Sequence, residues 1–265
     1  MRYELLGSLR VVDRNSTTFL SAQKIETLLA TLLVRADHVV TTDQLMNELW
    51  GEKMPRRASA GLHVYISDLR KFLHRPGDQE GRIVTRSSGY MLRLHGSRID
   101  HQDFLELTDL GRRHLRDHRY EEAADCFERG LALWRGPVLG DIGEGPILRS
   151  FGIWLTEARL DCSEMQIQAQ LQLGRHRELV GRLFALIAES PLRETFYRQL
   201  MVALYRSDRR AEALKVYQSA RRMLIDELGL EPCSALQQLH EAVLAANDRL
   251  LLADDRVLVG SSPAA

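Results

Sequence analysis

A motif that repeats in the C-terminal half limits the folds open to this chain of 265 residues. The motif is an alanine, an aromatic residue four positions later and a small residue three positions after that, and it occurs over 120–130 and 210–220. A weaker copy over 174–186 has leucine in the first position, and this Leu179 precedes Ala213 by one period of about 34 residues. Repeats of this length are pairs of helices, which must stack because one pair cannot bury its apolar face alone.

The spacing of the copies resembles that of the tetratricopeptide repeat, in which helices approach closely at small residues. Gly111 precedes Ala123 at the distance where the first helix of such a repeat requires a small residue. The interval from Ala123 to Leu179 is longer, and it equals one period plus an insertion. A Gly- and Pro-rich stretch at 136–146 and a long helix over Leu148–Leu173 can supply that insertion.

The net charge of the chain is zero, but the charge is unevenly distributed. Residues 1–98 contain 15 Lys and Arg against 10 Asp and Glu, a net charge of +5. Residues 99–265 contain 21 against 26, a net charge of −5. A basic part of this kind suits a nucleic-acid partner, whereas the acidic part is left free to contact protein.

The basic part contains two short strands, three helices and a β-hairpin, in that order. Ser21 is the expected N-cap of the first helix and Thr41 or Thr42 that of the second, while the third extends over Arg57–Leu73. A turn is expected at 75–78. The strands are expected over Arg2–Leu6, Leu9–Val12, Arg82–Arg86 and Tyr90–Leu94. Three helices followed by a hairpin form a winged helix-turn-helix, whose third helix enters the major groove.

The third helix has one apolar side and an opposite side suited to DNA. The apolar side, which is predicted to face the core, is formed by Leu62, Ile66, Leu69 and Leu73. The other side and its flanks carry Arg56, Arg57, Ala60, Gly61, Val64, Ser67, Asp68, Arg70 and Lys71. Small residues allow close approach to base edges, and apolar ones can contact a thymine methyl group. The cations at 56, 57, 70 and 71 suit phosphate contacts, which position a protein without specifying sequence.

Two observations leave alternatives open for this helix. Asp68 would repel phosphate unless it accepts a hydrogen bond from a cytosine amine or pairs with Lys71 or Arg57. An ordinary amphipathic helix with a solvated outer side would show the same pattern. The hairpin that follows and the basic balance favour the DNA-binding interpretation.

The segments RRASAGLHVYISDLRKFL at 56–73 and IVTRSSGYMLRL at 83–94 resemble the OmpR/PhoB-type winged helix. The resemblance implies that Arg86 reaches the minor groove from the wing and that Tyr90 anchors the wing. It also places Val64, Ser67 and Asp68 where that family reads bases. Many members have arginine at the position of Asp68, so their base preference does not transfer to this chain.

Over residues 3–246 the chain resembles the Streptomyces antibiotic regulatory protein family, particularly in ALYRSDRRAEALKVY and DELGLEP joined to that wing. The resemblance implies a winged-helix domain and a bacterial transcriptional activation domain that together activate a secondary-metabolite (antibiotic) gene cluster. The implied partners are direct repeats in promoter double-stranded DNA near the −35 element and the RNA polymerase holoenzyme, including its σ factor. Two protomers are expected to meet on the DNA or already in solution as a homodimer. The length suggests the small type, without an ATPase module.

The sequence contains none of the common enzyme and cofactor motifs, including G-x-x-x-x-G-K-[ST], G-x-G-x-x-G after a strand and H-E-x-x-H. His114 and His118 are one helical turn apart but lack a third metal ligand at a recognisable spacing. The longest apolar run is far shorter than the ~20 residues that a membrane span needs. We therefore expect no enzymatic activity, cofactor, metal or membrane partner. A cytoplasmic, nucleoid-associated protein with buried thiols at Cys126, Cys162 and Cys233 is expected.

The sequence thus predicts a mainly α protein in three parts. An α+β winged helix-turn-helix domain occupies residues 1–98, and an all-α tetratricopeptide-like domain follows over 99–248. Its last helix is expected over Ser234–Asp248, and 249–265 form a flexible tail. Two functions of different class remain: a sequence-specific transcriptional activator, or an interaction scaffold whose winged helix contacts protein. The net charge of +5 and the arginine in the wing favour the activator.

Overall fold

A computed structural model of the chain describes residues 1–13, 16–20, 22–74, 81–140, 142 and 145–246. Within them the predicted fold class is confirmed: a mixed α+β segment is followed by helices alone. The expected turn at 75–78, the expected cap Ser21 and the expected tail at 249–265 lie outside the described residues. None of the helices described is both long and apolar enough to cross a membrane.

The strands and helices alternate near the N-terminus. The strands are β1 (Arg2–Glu4), β2 (Arg10–Asp13), β3 (Ser16–Thr18), β4 (Val40–Thr41), β5 (Ile83–Arg86), β6 (Gly89–Leu92) and β7 (Arg98–Ile99). The first helices are α1 (Gln23–Val34), α2 (Thr42–Trp50), α3 (Ala58–Leu73), α4 (Asp100–Arg116) and α5 (Tyr120–Leu131). They are followed by α6 (Pro146–Gln172), α7 (His176–Glu189), α8 (Glu194–Arg206), α9 (Arg210–Leu228) and α10 (Ser234–Leu244).

The strands form two small sheets. One has the order β3-β2-β1-β7, with β1 antiparallel to β2 and parallel to β7. The other has the order β4-β6-β5 and contains the predicted hairpin, in which Arg86 lies opposite Gly89. The sequence predicted β1, β2, β5 and β6 but not β3, β4 or β7. β1 lies within the longer apolar segment predicted over Arg2–Leu6, whereas β3, β4 and β7 are two or three residues long and contain at most one apolar residue each, so they show no alternating pattern.

The contact between β4 and β6 requires glycine at position 89. A Cβ atom on Gly89 would lie 2.0 Å from the carbonyl oxygen of Val40, so any other residue would force the strands apart. Thr41, the partner of Gly89, is also the N-cap of α2. Its hydroxyl accepts a hydrogen bond from the Gln44 backbone nitrogen at 3.2 Å, and the Gln44 side chain accepts one from Thr41 at 3.0 Å. Thr41, rather than Thr42, therefore caps this helix; at α1 the N-cap is Ala22, which has no side-chain oxygen.

One compact unit comprises residues 1–109 and 128–161. Two buried carboxylates tie its later helices to the N-terminal part. Asp100 accepts hydrogen bonds from the backbone nitrogens of Leu5 at 2.8 Å and Leu6 at 3.0 Å. Glu48, on α2, accepts one from the Ile147 nitrogen at 2.5 Å in the first turn of α6. Burial raises the pKa of both carboxyls above its ordinary value, although these bonds act in the opposite direction. The unit therefore extends beyond the division at residue 98 on which the domain prediction was based.

The second unit comprises residues 110–127 and the described chain from 162 onward. In this unit α7 packs on α8, α8 on α9, and α10 on both, as expected for stacked helical pairs. The first positions of the three motif copies, at Ala123, Leu179 and Ala213, are all buried. Cys233 is exposed, so the expectation of a buried thiol is wrong there. It occupies the N-cap of α10, which is an end of a helix rather than its packed face.

The small residue predicted at position 111 lies against the aromatic residue of the motif. Gly111 is on α4, and a Cβ atom there would be 2.6 Å from Cε1 of the fully buried Phe127. The two helices thus approach so closely that a methyl group has no room between them. This close approach is the packing that the repeat pattern predicts.

Candidate nucleic-acid interface

Helix α3 has the two sides that its sequence predicts. Its predicted core residues Leu62, Ile66, Leu69 and Leu73 are all buried. Successive residues on this side recur every three or four positions, so a single apolar stripe holds α3 against α1 and α2. The opposite side is consequently fixed in direction and faces outward.

The outward side presents small and apolar groups. Val64 is 56% exposed, which is unusual for a valine in the middle of a helix, and Ala60 and Ser67 are exposed as well. Gly61 is only half-exposed because the Trp50 ring lies 3.4 Å from where a Cβ atom of Gly61 would be. Ala60, Val64 and Ser67 therefore form a strip without long side chains, which we call the α3 strip. Such a strip can approach a flat or concave surface closely.

Three arginines near the α3 strip have guanidinium groups that the described residues do not bind. Arg56 and Arg57 lie in the turn before α3, and Arg86 is the last residue of β5, at the tip of the hairpin. All three are exposed, and their side chains make no hydrogen bond or ion pair with the described part of the chain. They are available to bind an anion without breaking a contact within that part.

Asp68 pairs with Lys71, which is one of the alternatives that the sequence left open. The Lys71 ammonium lies 3.1 Å from Oδ1 of Asp68, one helical turn away; the Lys71 side chain is exposed and that of Asp68 is half-exposed. An exposed pair of this kind contributes only about 0.3–0.5 kcal/mol to stability. Its main consequence is local charge neutralisation, because Lys71 offsets the repulsion that Asp68 would exert on phosphate.

Arg70 holds the hairpin rather than pointing free into solvent. Its guanidinium donates to the carbonyl oxygen of Ile83 at 3.2 Å and to the Thr85 hydroxyl at 2.8 Å, both on β5. The same guanidinium lies 6.0 Å from the centre of the Tyr90 ring. Arg70 was predicted from the sequence as a phosphate contact. Within the chain it fixes the wing relative to α3, and its contact with phosphate stays a prediction.

Tyr90, on strand β6 of the hairpin, is buried, so it supports the surface and does not form it. Its hydroxyl lies 2.8 Å from Nδ1 of His63, an exposed residue on α3. The sequence interpretation missed His63. The signal was its spacing: His63 and Arg70 are two helical turns apart, which places both on the same flank of the helix. Two side-chain bridges thus connect α3 to the wing.

Comparison with known proteins finds similarity over nearly the whole chain. The regulatory protein DnrI of Streptomyces peucetius is 33% identical over 254 residues, covering 93% of each chain. The transcriptional regulator RedD of Streptomyces coelicolor is 35% identical and covers 91% of this chain and 69% of its own. The regulatory protein AfsR of the same organism is 37% identical over 94% of this chain, which spans only 25% of AfsR.

A solved structure has the same fold. It is that of Mycobacterium tuberculosis EmbR in complex with a low-affinity phosphopeptide. The TM-score is 0.86 at 30% sequence identity, over 92% of this chain and 65% of that chain.

Two family models divide the chain between them. Residues 19–92 match the model described as transcriptional regulatory protein, C terminal, and residues 99–244 match the bacterial transcriptional activator domain. Fold and surface together define a class: transcriptional regulators with a winged helix-turn-helix followed by a helical activator domain. The chain belongs to the Streptomyces antibiotic regulatory protein family.

Proposed function

We propose that the chain is a sequence-specific DNA-binding activator of a secondary-metabolite gene cluster. It binds direct repeats near the promoter −35 element, with α3 in the major groove and the wing at the minor groove, and it recruits RNA polymerase holoenzyme through its helical repeats. The observation that carries this proposal is the exposed α3 strip together with Arg56 and Arg57 in the turn before α3 and Arg86 in the wing, whose guanidinium groups bind none of the described residues. Small side chains suit base edges, and available cations suit phosphates.

A mobility-shift titration of the full chain on its own upstream DNA tests DNA binding. Affinity for that DNA is expected to exceed affinity for scrambled DNA and to fall steeply with salt, because phosphate contacts release counterions. A probe with both repeats is expected to give a second shifted species that a single-repeat probe lacks. If no shift is seen even at low salt, the winged helix does not bind this DNA, and the interaction-scaffold function becomes the better explanation.

Arg86→Ala is expected to weaken binding to every DNA sequence by a similar factor. Loss of one phosphate or minor-groove contact lowers the steepness of the salt dependence by about one unit in a plot of log K against log salt. The matched control is Arg113→Ala, which removes the same charge from an exposed position on α4. Equal affinity and salt dependence of Arg86→Ala and Arg113→Ala would mean that the wing does not contact DNA.

Val64→Ala is expected to change base discrimination more than total affinity. An apolar contact with a thymine methyl is lost when that thymine is replaced by deoxyuridine. The wild-type chain is therefore expected to lose about fivefold in affinity on one such replacement, and Val64→Ala to show no difference between the two probes. Val39→Ala, an exposed valine outside α3, serves as control. A uniform loss on all probes would contradict base readout by Val64.

Reversal of surface charge on the repeats tests recruitment of polymerase. Glu122→Lys, Glu128→Lys and Glu227→Lys change exposed side chains of α5 and α9. They are expected to leave DNA affinity unchanged, and at least one is expected to lower transcription about fivefold or more, since the few residues that dominate an interface each cost over about 1 kcal/mol when changed. In vitro transcription with purified holoenzyme measures this, with the corresponding glutamine variants as controls. Full transcription from the whole panel would show that these surfaces do not contact polymerase.

A further inference from the structure

A cleft in the unit of residues 1–109 and 128–161 is not used by the proposed function. It has a volume of about 540 Å³ and lies beside the end of α1, the start of α2 and the start of α4. This volume is in the range of sites that hold small organic molecules. Five apolar residues line it: Leu33, Val34, Ala36, Val39 and Val40. One of them, Val39, is 41% exposed, so the cleft offers apolar surface that is still in contact with water.

The polar residues of the cleft have hydrogen-bonding capacity that the described chain does not use. His101 is 93% buried against Phe151, and its Nδ1 atom has no hydrogen-bond partner among the described residues. Such an unpaired buried nitrogen is costly, and a ligand or ordered water is the usual partner. Gln44 uses its side-chain oxygen in the cap of α2, which leaves its amide NH₂ group as a donor. The guanidinium of Arg35 has no hydrogen bond or ion pair with the described residues.

The charges of the cleft favour a single negative charge on its ligand. Among the described residues that line it, Arg35 alone carries a permanent charge and none is acidic. The second histidine of the lining, His38, is exposed, and its Nδ1 atom lies 2.9 Å from the carbonyl oxygen of Ala36. Burial lowers the pKa of His101 to about 4, so its imidazole is neutral near pH 7 and adds no second positive charge. A planar guanidinium beside an amide donor matches the two oxygens of a carboxylate.

We propose that this cleft binds a small organic monocarboxylate. Its carboxylate binds Arg35 and Gln44, its apolar part lies against Val34, Val39 and Val40, and it hydrogen-bonds to His101. This site does not depend on the function proposed for α3, since no residue of the cleft belongs to the α3 strip or the wing.

Nuclear magnetic resonance of the full chain labelled with ¹⁵N in its histidine rings tests the proposal. The probes are benzoate and hexanoate, each compared with its uncharged amide, benzamide or hexanamide. His101→Gln assigns the His101 ring signals. We expect benzoate or hexanoate to shift these signals saturably at millimolar concentrations and the amides to bind at least about tenfold more weakly, since a charge-assisted bond is lost.

Two variants localise the interaction. Arg35→Gln is expected to weaken carboxylate binding about tenfold, whereas Arg129→Gln, at an exposed arginine of the same unit outside the cleft, leaves it unchanged. Far-UV circular dichroism checks that both variants are folded. Three results would each overturn the proposal: no saturable shift of His101 with either carboxylate, equal binding of amide and acid, or unchanged binding in Arg35→Gln.

Discussion

Replacement of Gly111 by alanine is expected to lower the free energy of unfolding by about 1–2 kcal/mol, although alanine is the better helix former. In the middle of a helix, replacement of glycine by alanine ordinarily raises the free energy of unfolding by about 1 kcal/mol. At Gly111 the new methyl group would lie 2.6–2.9 Å from three atoms of the Phe127 ring, which is fully buried and cannot move aside. Overpacking of a core by one methyl group typically costs about 1–3 kcal/mol, and the clash here is severe enough to outweigh the gain.

Gly181 provides the matched control, because it lies within α7 of the same unit and a Cβ atom there would have no neighbour within 4 Å. Gly181→Ala is therefore expected to raise the free energy of unfolding by about 0.5–1 kcal/mol. Urea unfolding followed by far-UV circular dichroism measures both variants. Phe127→Leu is expected to relieve part of the clash caused by Gly111→Ala. The double variant therefore loses less free energy of unfolding than the two single variants lose together. Stabilisation by Gly111→Ala would disprove the close contact of the two helices.

The helices and the wing could be predicted from the sequence because their signals are local. The apolar stripe of α3 consists of four residues that lie three or four positions apart. The hairpin consists of two strands separated only by Ser87 and Ser88. The repeat likewise depends on spacing, and the buried positions Ala123 and Ala213 confirm it. The membership of the family follows from the same motifs.

The extent of the compact units could not be predicted, because it depends on bonds between residues far apart in the sequence. Asp100 binds backbone groups 95 residues away, and Glu48 binds groups 99 residues away. From a single sequence, a carboxylate that caps a distant helix cannot be distinguished from a carboxylate on the surface. The same holds at the candidate interface, where Arg70 binds a carbonyl oxygen of the wing. An arginine with that role and one that binds phosphate occupy the same kind of position in the sequence. The contacts of Arg86 and Val64 with DNA stay predictions.

His101 is expected to make the stability of its unit depend on pH between about 6.5 and 4. Burial lowers its pKa from 6.5 to about 4 in the folded chain, and the nearby Asp103 carboxylate offsets this only in part. Between these two values the unfolded chain binds a proton that the folded chain does not. The contribution of His101 to stability is therefore complete above pH 6.5 and is lost as the pH falls toward 4. The full difference is about 3 kcal/mol, of which about 2 kcal/mol is lost by pH 5.

Comparison of the wild-type chain with His101→Gln isolates this effect, because glutamine does not titrate. Burial raises the pKa of Glu48 and Asp100 in the same unit, so their contributions to stability grow as the pH falls. Both carboxyls are present in wild type and in His101→Gln, so these contributions cancel in the difference between the two chains. All three tryptophans, Trp50, Trp134 and Trp154, lie in this unit, so tryptophan fluorescence during urea unfolding reports on it alone. The stability of wild type minus that of His101→Gln is expected to fall by about 2 kcal/mol from pH 7 to pH 5. A constant difference would show that the imidazole is protonated as readily in the folded chain as in the unfolded one, and hence that it is open to water.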